Sequence, residues 1–176
     1  MTSIAIASGK GGVGKSSIAI NLGIVLAKAG KKVVVVDADV GMSNLAIMIG
    51  VDRIPITLNN VLEGENDILD AVYDGPGGMK YVPAQLTVDT VEQMNFSELT
   101  KAIEKLEKNA DYVLIDCPPG WGVDAKTAIS SAKQGIIILT PEPPALADAI
   151  KTRLFMEKKN VLVIGAALNM VLNDPS

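Results

Sequence analysis

Residues 8–16 read Ser8-Gly9-Lys10-Gly11-Gly12-Val13-Gly14-Lys15-Ser16, and a run of this kind works in only one structural setting. It satisfies the pattern G-x-x-x-x-G-K-[ST], in which backbone N–H groups freed by glycine turn inward around a phosphate. The loop has to leave a strand and enter the N-terminus of a helix, where the helix dipole also favours an anion. The flanks supply both. Ile4-Ala5-Ile6-Ala7 is an apolar run fit for a buried parallel strand, and Ser17 to Lys28 carries helical periodicity through Ile18, Leu22, Val25 and Leu26. Within the loop the positions divide the work. Gly9, Lys10, Gly11, Gly12, Val13 and Gly14, with Ser17 beyond the loop, bind the nucleotide, Lys15 neutralises the β and γ oxygens, and the Ser16 hydroxyl ligates Mg2+. The cofactors implied are ATP and Mg2+.

Further strand-like runs occur at Val33 to Val36, Lys80 to Val82, Tyr112 to Ile115, Gly135 to Leu139 and Val161 to Leu168. Helical patterns alternate with most of them: Ser17 to Ala29 closed by Gly30, Phe96 to Lys108 behind a cap at Asn95, Asp124 to Lys133, and Ala145 to Lys159. Gly75-Pro76-Gly77-Gly78 reads as a tight surface turn ahead of the third strand. Alternation of this kind, with strands apolar on both faces, predicts an α/β fold. It is a doubly wound, mostly parallel sheet with helices on both faces, in one domain over residues 1–176. Only 3% of residues are aromatic against 48% hydrophobic, so the core has to be built from Ile, Val, Leu, Ala and Met.

A net charge of −4 provides no bulk positive field for displacing counterions, which argues against nucleic acid as a partner. One cysteine and no histidine exclude a disulfide framework and disfavour a protein-borne zinc or iron–sulfur site; Cys117 reads as a buried thiol. The N-terminus has no secretory signal, and no apolar run approaches the ~20 residues that span a bilayer. These features place the chain in the cytoplasm.

The strong strands end in acid. Val33-Val34-Val35-Val36 runs into Asp37-Ala38-Asp39, and Tyr112-Val113-Leu114-Ile115 into Asp116. Parallel strands put those ends on the rim that carries the phosphate loop, so the three aspartates are expected to converge on the metal and the γ-phosphate. A carboxylate after four apolar residues, as at Asp116, suits a ligand of Mg2+ or of one of its waters.

Lys10 is the residue that narrows the class. Lys10 through Ser16 resembles the K-G-G-x-G-K-[ST] signature of the MinD/ParA ATPases, a deviant Walker A loop with a second lysine. In that family the first lysine reaches across a dimer interface to the partner's nucleotide, the logic of an arginine finger. The resemblance implies an ATPase with Lys10, Lys15 and Asp39 as catalytic residues, and Ser16, Asp37, Asp39 and Asp116 around the metal. Asp39 would act on the metal-bound and attacking waters, and Asp37 would support the metal. Asp37 to Leu45, with Asn44, resembles the first switch of MinD-type members, and Asp116-Cys117-Pro118-Pro119-Gly120 the second, in which the Gly120 N–H meets the γ-phosphate. Trp121 follows, either anchoring that turn or facing a partner. Asn169 matches an asparagine placed near adenine, and Met170 stands where many relatives carry arginine. Thr140-Pro141-Glu142-Pro143-Pro144 resembles the family's T-x-P-E segment, to which no task is assigned.

The partners so implied are a second copy of the chain when ATP is bound and a regulatory or cargo protein. MinD-like chains continue through further elements and often end in a basic amphipathic helix that docks on membrane. This chain ends at Asp174-Pro175-Ser176, so it is expected to be a truncated or shorter relative. It would be peripheral at the inner face of the membrane only if a full-length form carries such a helix. The rival readings are a DNA-partitioning ParA and an Mrp/Nbp35-like metallocluster carrier, which needs several thiolates.

Overall fold

The computed structural model describes residues 1–41, 43, 45–51, 54–85 and 97–171. Seven strands form one sheet in the order β3-β4-β2-β5-β1-β6-β7. They are β1 (Thr2–Ala7), β2 (Val33–Asp37), β3 (Tyr73–Asp74), β4 (Lys80–Val82), β5 (Tyr112–Asp116), β6 (Gln134–Leu139) and β7 (Leu162–Leu168). All pairings are parallel except β3 with β4, which run antiparallel. The helices are α1 (Lys15–Lys28), α2 (Leu45–Ile49), α3 (Leu58–Leu62), α4 (Ser97–Glu107), α5 (Val123–Ser130) and α6 (Pro143–Lys158). The α/β, doubly wound expectation is therefore borne out.

Alternation along β2 shows why strands with no polar face are needed. Val33 and Val35 pack on the side of α1, with Ile4, Ile6, Leu114 and Ile20. Val34 and Val36 pack on the opposite side, with Val113, Ile115 and the α4 residues Leu99, Ile103 and Leu106. Helix α1 approaches the sheet closely because residue 23 is glycine: a Cβ there would lie 2.7 Å from Val35 Cγ2. Gly30, with φ +80, ends that helix. Its N–H donates to Ala27 O at 2.9 Å and the Lys31 N–H to Leu26 O at 3.1 Å, the Schellman arrangement. Among the fully buried large side chains of the described residues only Tyr81 is aromatic, as the composition demanded.

Sequence patterning missed three elements. Helices α2 and α3 are five residues each, too short to show a period, and β3 is a two-residue partner across the Gly75–Gly78 turn. Strand β7, apolar as expected, differs in burial: Leu162, Ile164 and Leu168 are exposed along the sheet edge, as are Leu146, Ile150 and Leu154 on α6. Asn44, the proposed cap Asn95, Phe96 and the end at 173–176 lie outside the described residues.

Candidate functional site

Six parallel strands deliver their carboxyl ends to one rim, and five of them bear on the site. From β2, β5, β1, β6 and β7 in spatial order, that rim carries Asp37, Asp116, the loop 8–14, Thr140 to Glu142, and Asn169. The loop takes the conformation its glycines permit. Gly12 has φ +75, and Gly14 has φ +94 at the cap of α1, a left-handed conformation that L side chains rarely adopt. A side chain at Gly14 would also collide with Nδ2 of Asn169. Beneath the loop lies a cavity of about 600 Å³, lined by Gly11, Gly12, Gly14, Lys15, Ser16, Ser17, Asp39 and Pro119 among others. That volume falls in the range of small-molecule sites. A larger cavity, about 720 Å³, lies between α6 and β7; its lining is mostly aliphatic, and its one basic group, Arg153, is paired with Glu157.

Lys15 and Asp116 form the buried centre, with 8% and 3% of their surface exposed. Burial pushes the Lys15 ammonium below its usual value, against the opposing pull of Asp116, Cys117 and Asp39. Burial raises Asp116 to about 7; a hydrogen bond from Ser16 and the charge of Lys15 work downward, Asp37 and Asp39 upward. One carboxylate oxygen, Oδ1 of Asp116, is buried with no hydrogen-bond partner. An orphaned acceptor beside a serine hydroxyl, at the mouth of a phosphate loop, suits Mg2+ held by one carboxylate, one hydroxyl and the phosphates themselves. The residues present fit the group.

The three aspartates expected to converge on the metal lie near enough for Asp37 and Asp39 to raise Asp116, yet they differ in what they face. Asp37 is the most buried of the three. It is 1% exposed, and its carboxylate is turned into the following loop. Oδ1 accepts the Asp39 N–H at 3.1 Å, and Oδ2 faces the Ser43 hydroxyl at 2.8 Å and the Leu45 N–H at 3.3 Å. Asp37 thus organises the loop rather than projecting at the cavity, and burial lifts it to about 6. The Ser43 hydroxyl has one proton and a second acceptor, Ala84 O, at 2.9 Å. A proton on Asp37 lets both contacts be made. Asp39 instead lines the cavity with Lys15 and Ser16.

Both raised carboxyls give a pH dependence of definite sign. Their folded values lie above the ordinary 3.8 of an aspartate, so between pH 4 and 7 the folded state holds protons that the unfolded chain has lost. Their contribution is fully present at low pH and disappears as pH rises through about 6 and 7. Metal-free protein should therefore lose on the order of a few kcal/mol from these groups between pH 5 and 8. Saturating Mg-nucleotide, which requires Asp116 ionised, should flatten that slope. Urea unfolding at fixed pH values measures both; stability rising across the window without metal would show the pair ionised in the free protein.

The other assignments fall as follows. Gly120 has φ +81, so the second loop also turns where only glycine is comfortable. Trp121 packs edge-to-face on Phe155 of α6, ring centroids 5.9 Å apart, which is the anchoring alternative. Asn169 donates from Nδ2 to Val13 O at 2.8 Å, and its N–H donates to Leu139 O at 2.8 Å. It braces the phosphate loop from β7, a contact for which sequence offered no signal. Cys117 is 1% exposed, and burial raises its thiol far above the ordinary range.

Comparison with known proteins places this architecture. Residues 1–174 match the family model described as ParA, NUBPL iron-transfer P-loop NTPase. An uncharacterized ATP-binding protein of Methanocaldococcus jannaschii is 41% identical over 97% of this chain and 65% of its own length. Septum site-determining protein MinD of Synechocystis is 34% identical over 94% of this chain and 63% of its own length. The chain thus spans a little under two thirds of these relatives. The structure of MinD from Pyrococcus horikoshii, complexed with Mg-ADP, superposes with a TM-score of 0.93 at 33% identity, covering 99% of this chain and 72% of that one.

Proposed function

The chain belongs to the ParA/MinD family of P-loop ATPases, and from that premise we propose that it is an ATP-operated dimerisation switch of MinD type. The observation that carries the reading is the different setting of its two loop lysines. Lys15 is buried against Asp116, where it serves its own subunit's phosphates. Lys10 stands at the rim with its side chain 48% exposed, open to a phosphate carried by a second molecule.

On this reading the loop N–H groups of residues 11–14 hold the α and β phosphates, and Lys15 balances the β and γ oxygens. Ser16 and Asp116 would hold Mg2+, which would neutralise phosphate charge; the structure of one relative is complexed with Mg-ADP. Asp39 orients the attacking water. The Gly120 N–H meets an oxygen that hydrolysis removes, so the loop from Asp116 to Gly120 has two states and dimerisation follows the nucleotide. Catalysis needs no histidine, because positioning and charge do the work.

The switch would serve the siting of cell division or of other machinery, through a regulatory or cargo protein that a pull-down with the ATP-locked form would recover. Membrane association would need a basic amphipathic helix beyond these residues. The metallocluster reading, which the family model's description shares, would need thiolates, and within these residues the single cysteine is sealed in the core. A DNA-partitioning role is weakened by the net charge of −4.

Lys10→Ala is the test. It should keep Mg-ADP affinity within about threefold. It should also abolish the dimer formed with a non-hydrolysable ATP analogue and lower turnover by about 10³-fold, the scale of an arginine finger. Gel filtration with light scattering reads the dimer; an undiminished dimer would remove the trans role.

A further inference from the structure

The lysine that distinguishes this loop is already engaged within its own chain. Lys10 Nζ donates to Oε2 of Glu142 at 2.7 Å. The sheet makes that contact local despite the separation in sequence. Strands β1 and β6 are parallel neighbours, so the loop after β1 and the segment after β6 leave the rim side by side. Glu142 is the one charged residue of the Thr140 to Pro144 segment, the motif the mechanism above leaves without a task.

Both backbones at the contact are fixed. The Ser8 hydroxyl donates to Lys10 O at 2.9 Å, and the Lys10 N–H donates back to Ser8 Oγ at 3.1 Å. The Glu142 N–H donates to Thr140 O at 2.8 Å, and Pro143 starts α6 immediately after it. Between the two anchors the loop lies directly on α6, since a Cβ at Gly9 would sit 2.6 Å from Asp148 Cβ. Loop and helix are thus closely packed, and the Lys10 side chain is what can be redirected. With side-chain exposures of 48% and 52%, the ion pair lies in solvent, where such pairs form and break readily.

We propose that Glu142 is a positioning residue that holds Lys10 in cis in the unpaired subunit and yields it to the partner's triphosphate when two ATP-bound subunits meet. The inference rests on the trans role given to Lys10 above. One ammonium cannot sit 2.7 Å from its own Glu142 and also contact phosphates across an interface unless it leaves the carboxylate or drags it along. A triphosphate offers more negative charge than one carboxylate, so the exchange is downhill only when the partner carries ATP. The pair thus opposes association of empty subunits and sets the concentration at which loaded ones pair. A solvent-exposed ion pair is worth roughly 1.5- to 5-fold in an equilibrium, and each dimer releases two of them. Glu142 should therefore raise the dimer dissociation constant by about 2- to 30-fold.

The test compares wild type, Glu142→Gln and Glu142→Asp as full chains. Sedimentation equilibrium with a non-hydrolysable Mg-ATP analogue gives the dimer constant. Acetylation of Lys10, followed by mass spectrometry in nucleotide-free protein, reports the cis pair directly, with the exposed Lys101 as internal control. Glu142→Gln should acetylate faster at Lys10 alone and dimerise at about 2- to 30-fold lower concentration, with unchanged nucleotide affinity as a monomer. Glu142→Asp, which keeps the charge on a shorter arm, should fall between the two. Equal labelling of wild type and Glu142→Gln would show that the pair does not form in solution and would overturn the proposal while leaving the switch intact. Faster labelling with an unchanged or weaker dimer would overturn it too, making Glu142 a bystander or an interface contact. A wild type that stays monomeric with the analogue would sink the trans role of Lys10, and the proposal with it.

Discussion

Lys15→Ala should lower Mg-ADP affinity by about 10²- to 10³-fold, the largest binding defect expected of any single change in this chain. Among the described residues the ammonium is the one cation set among Asp116, Asp39 and the buried Cys117, and the same pocket has to receive a polyphosphate. Without it the nucleotide would enter a cavity whose remaining ionisable groups are acidic, and Asp116 would be pushed still further above its value of about 7. The fold should survive. Burial already holds Lys15 below its normal pKa, so the charge is a cost to the nucleotide-free protein, and alanine is a better residue than lysine for the first turn of α1. Calorimetric titration with Mg-ADP and thermal unfolding without it separate the two effects. Affinity within about threefold of wild type would mean that the phosphates are held by backbone N–H groups alone.

How the site came to be legible follows from which contacts are local. The loop 8–16 could be read because strand, glycine turn and helix are adjacent in sequence, and each glycine has its own geometric reason, such as φ +94 at Gly14. The rim could be anticipated because parallel strands place their carboxyl ends together, and Asp37 and Asp116 are indeed register partners across β2 and β5. Register, however, fixes Cα positions and not where a carboxylate turns. Asp37 looked like a metal residue from its place at a strand end, and it is the Ser43 hydroxyl with the Asp39 and Leu45 N–H groups that draw it inward. The contacts of Asn169 with Val13 and of Lys10 with Glu142 span nearly the whole chain. They exist because β6 and β7 are laid beside β1, an order no periodicity reveals. The same reasoning accounts for α2 and α3, where five residues are held by packing of Leu45, Leu58 and Leu62 rather than by a readable amphipathic stripe.

Asp39→Ala should leave Mg-ATP binding nearly intact and lower turnover by about 10²- to 10⁴-fold, the range lost with a group that manages proton or water in a transition state. The reason lies in the division between two neighbouring acids. The loop is held by the Asp37 carboxylate, which accepts the backbone N–H of Asp39 at 3.1 Å, and alanine keeps that N–H. The lost side chain is the one lining the cavity beside Lys15 and Ser16, where an attacking water has to be ordered. A binding-competent, hydrolysis-poor subunit should accumulate as the ATP-bound dimer at protein concentrations where wild type cycles back to monomer. Asp37→Ala gives the contrast. It strips the Asp39 and Leu45 N–H groups of their acceptor, leaves the Ser43 hydroxyl with Ala84 O alone, and should destabilise the protein by about 1–3 kcal/mol, weakening binding and turnover together. Phosphate release, light scattering with ATP and urea unfolding on both variants distinguish the roles. Turnover of Asp39→Ala within about threefold of wild type would take Asp39 out of the chemistry and leave the water to be ordered from the Asp116 to Gly120 loop.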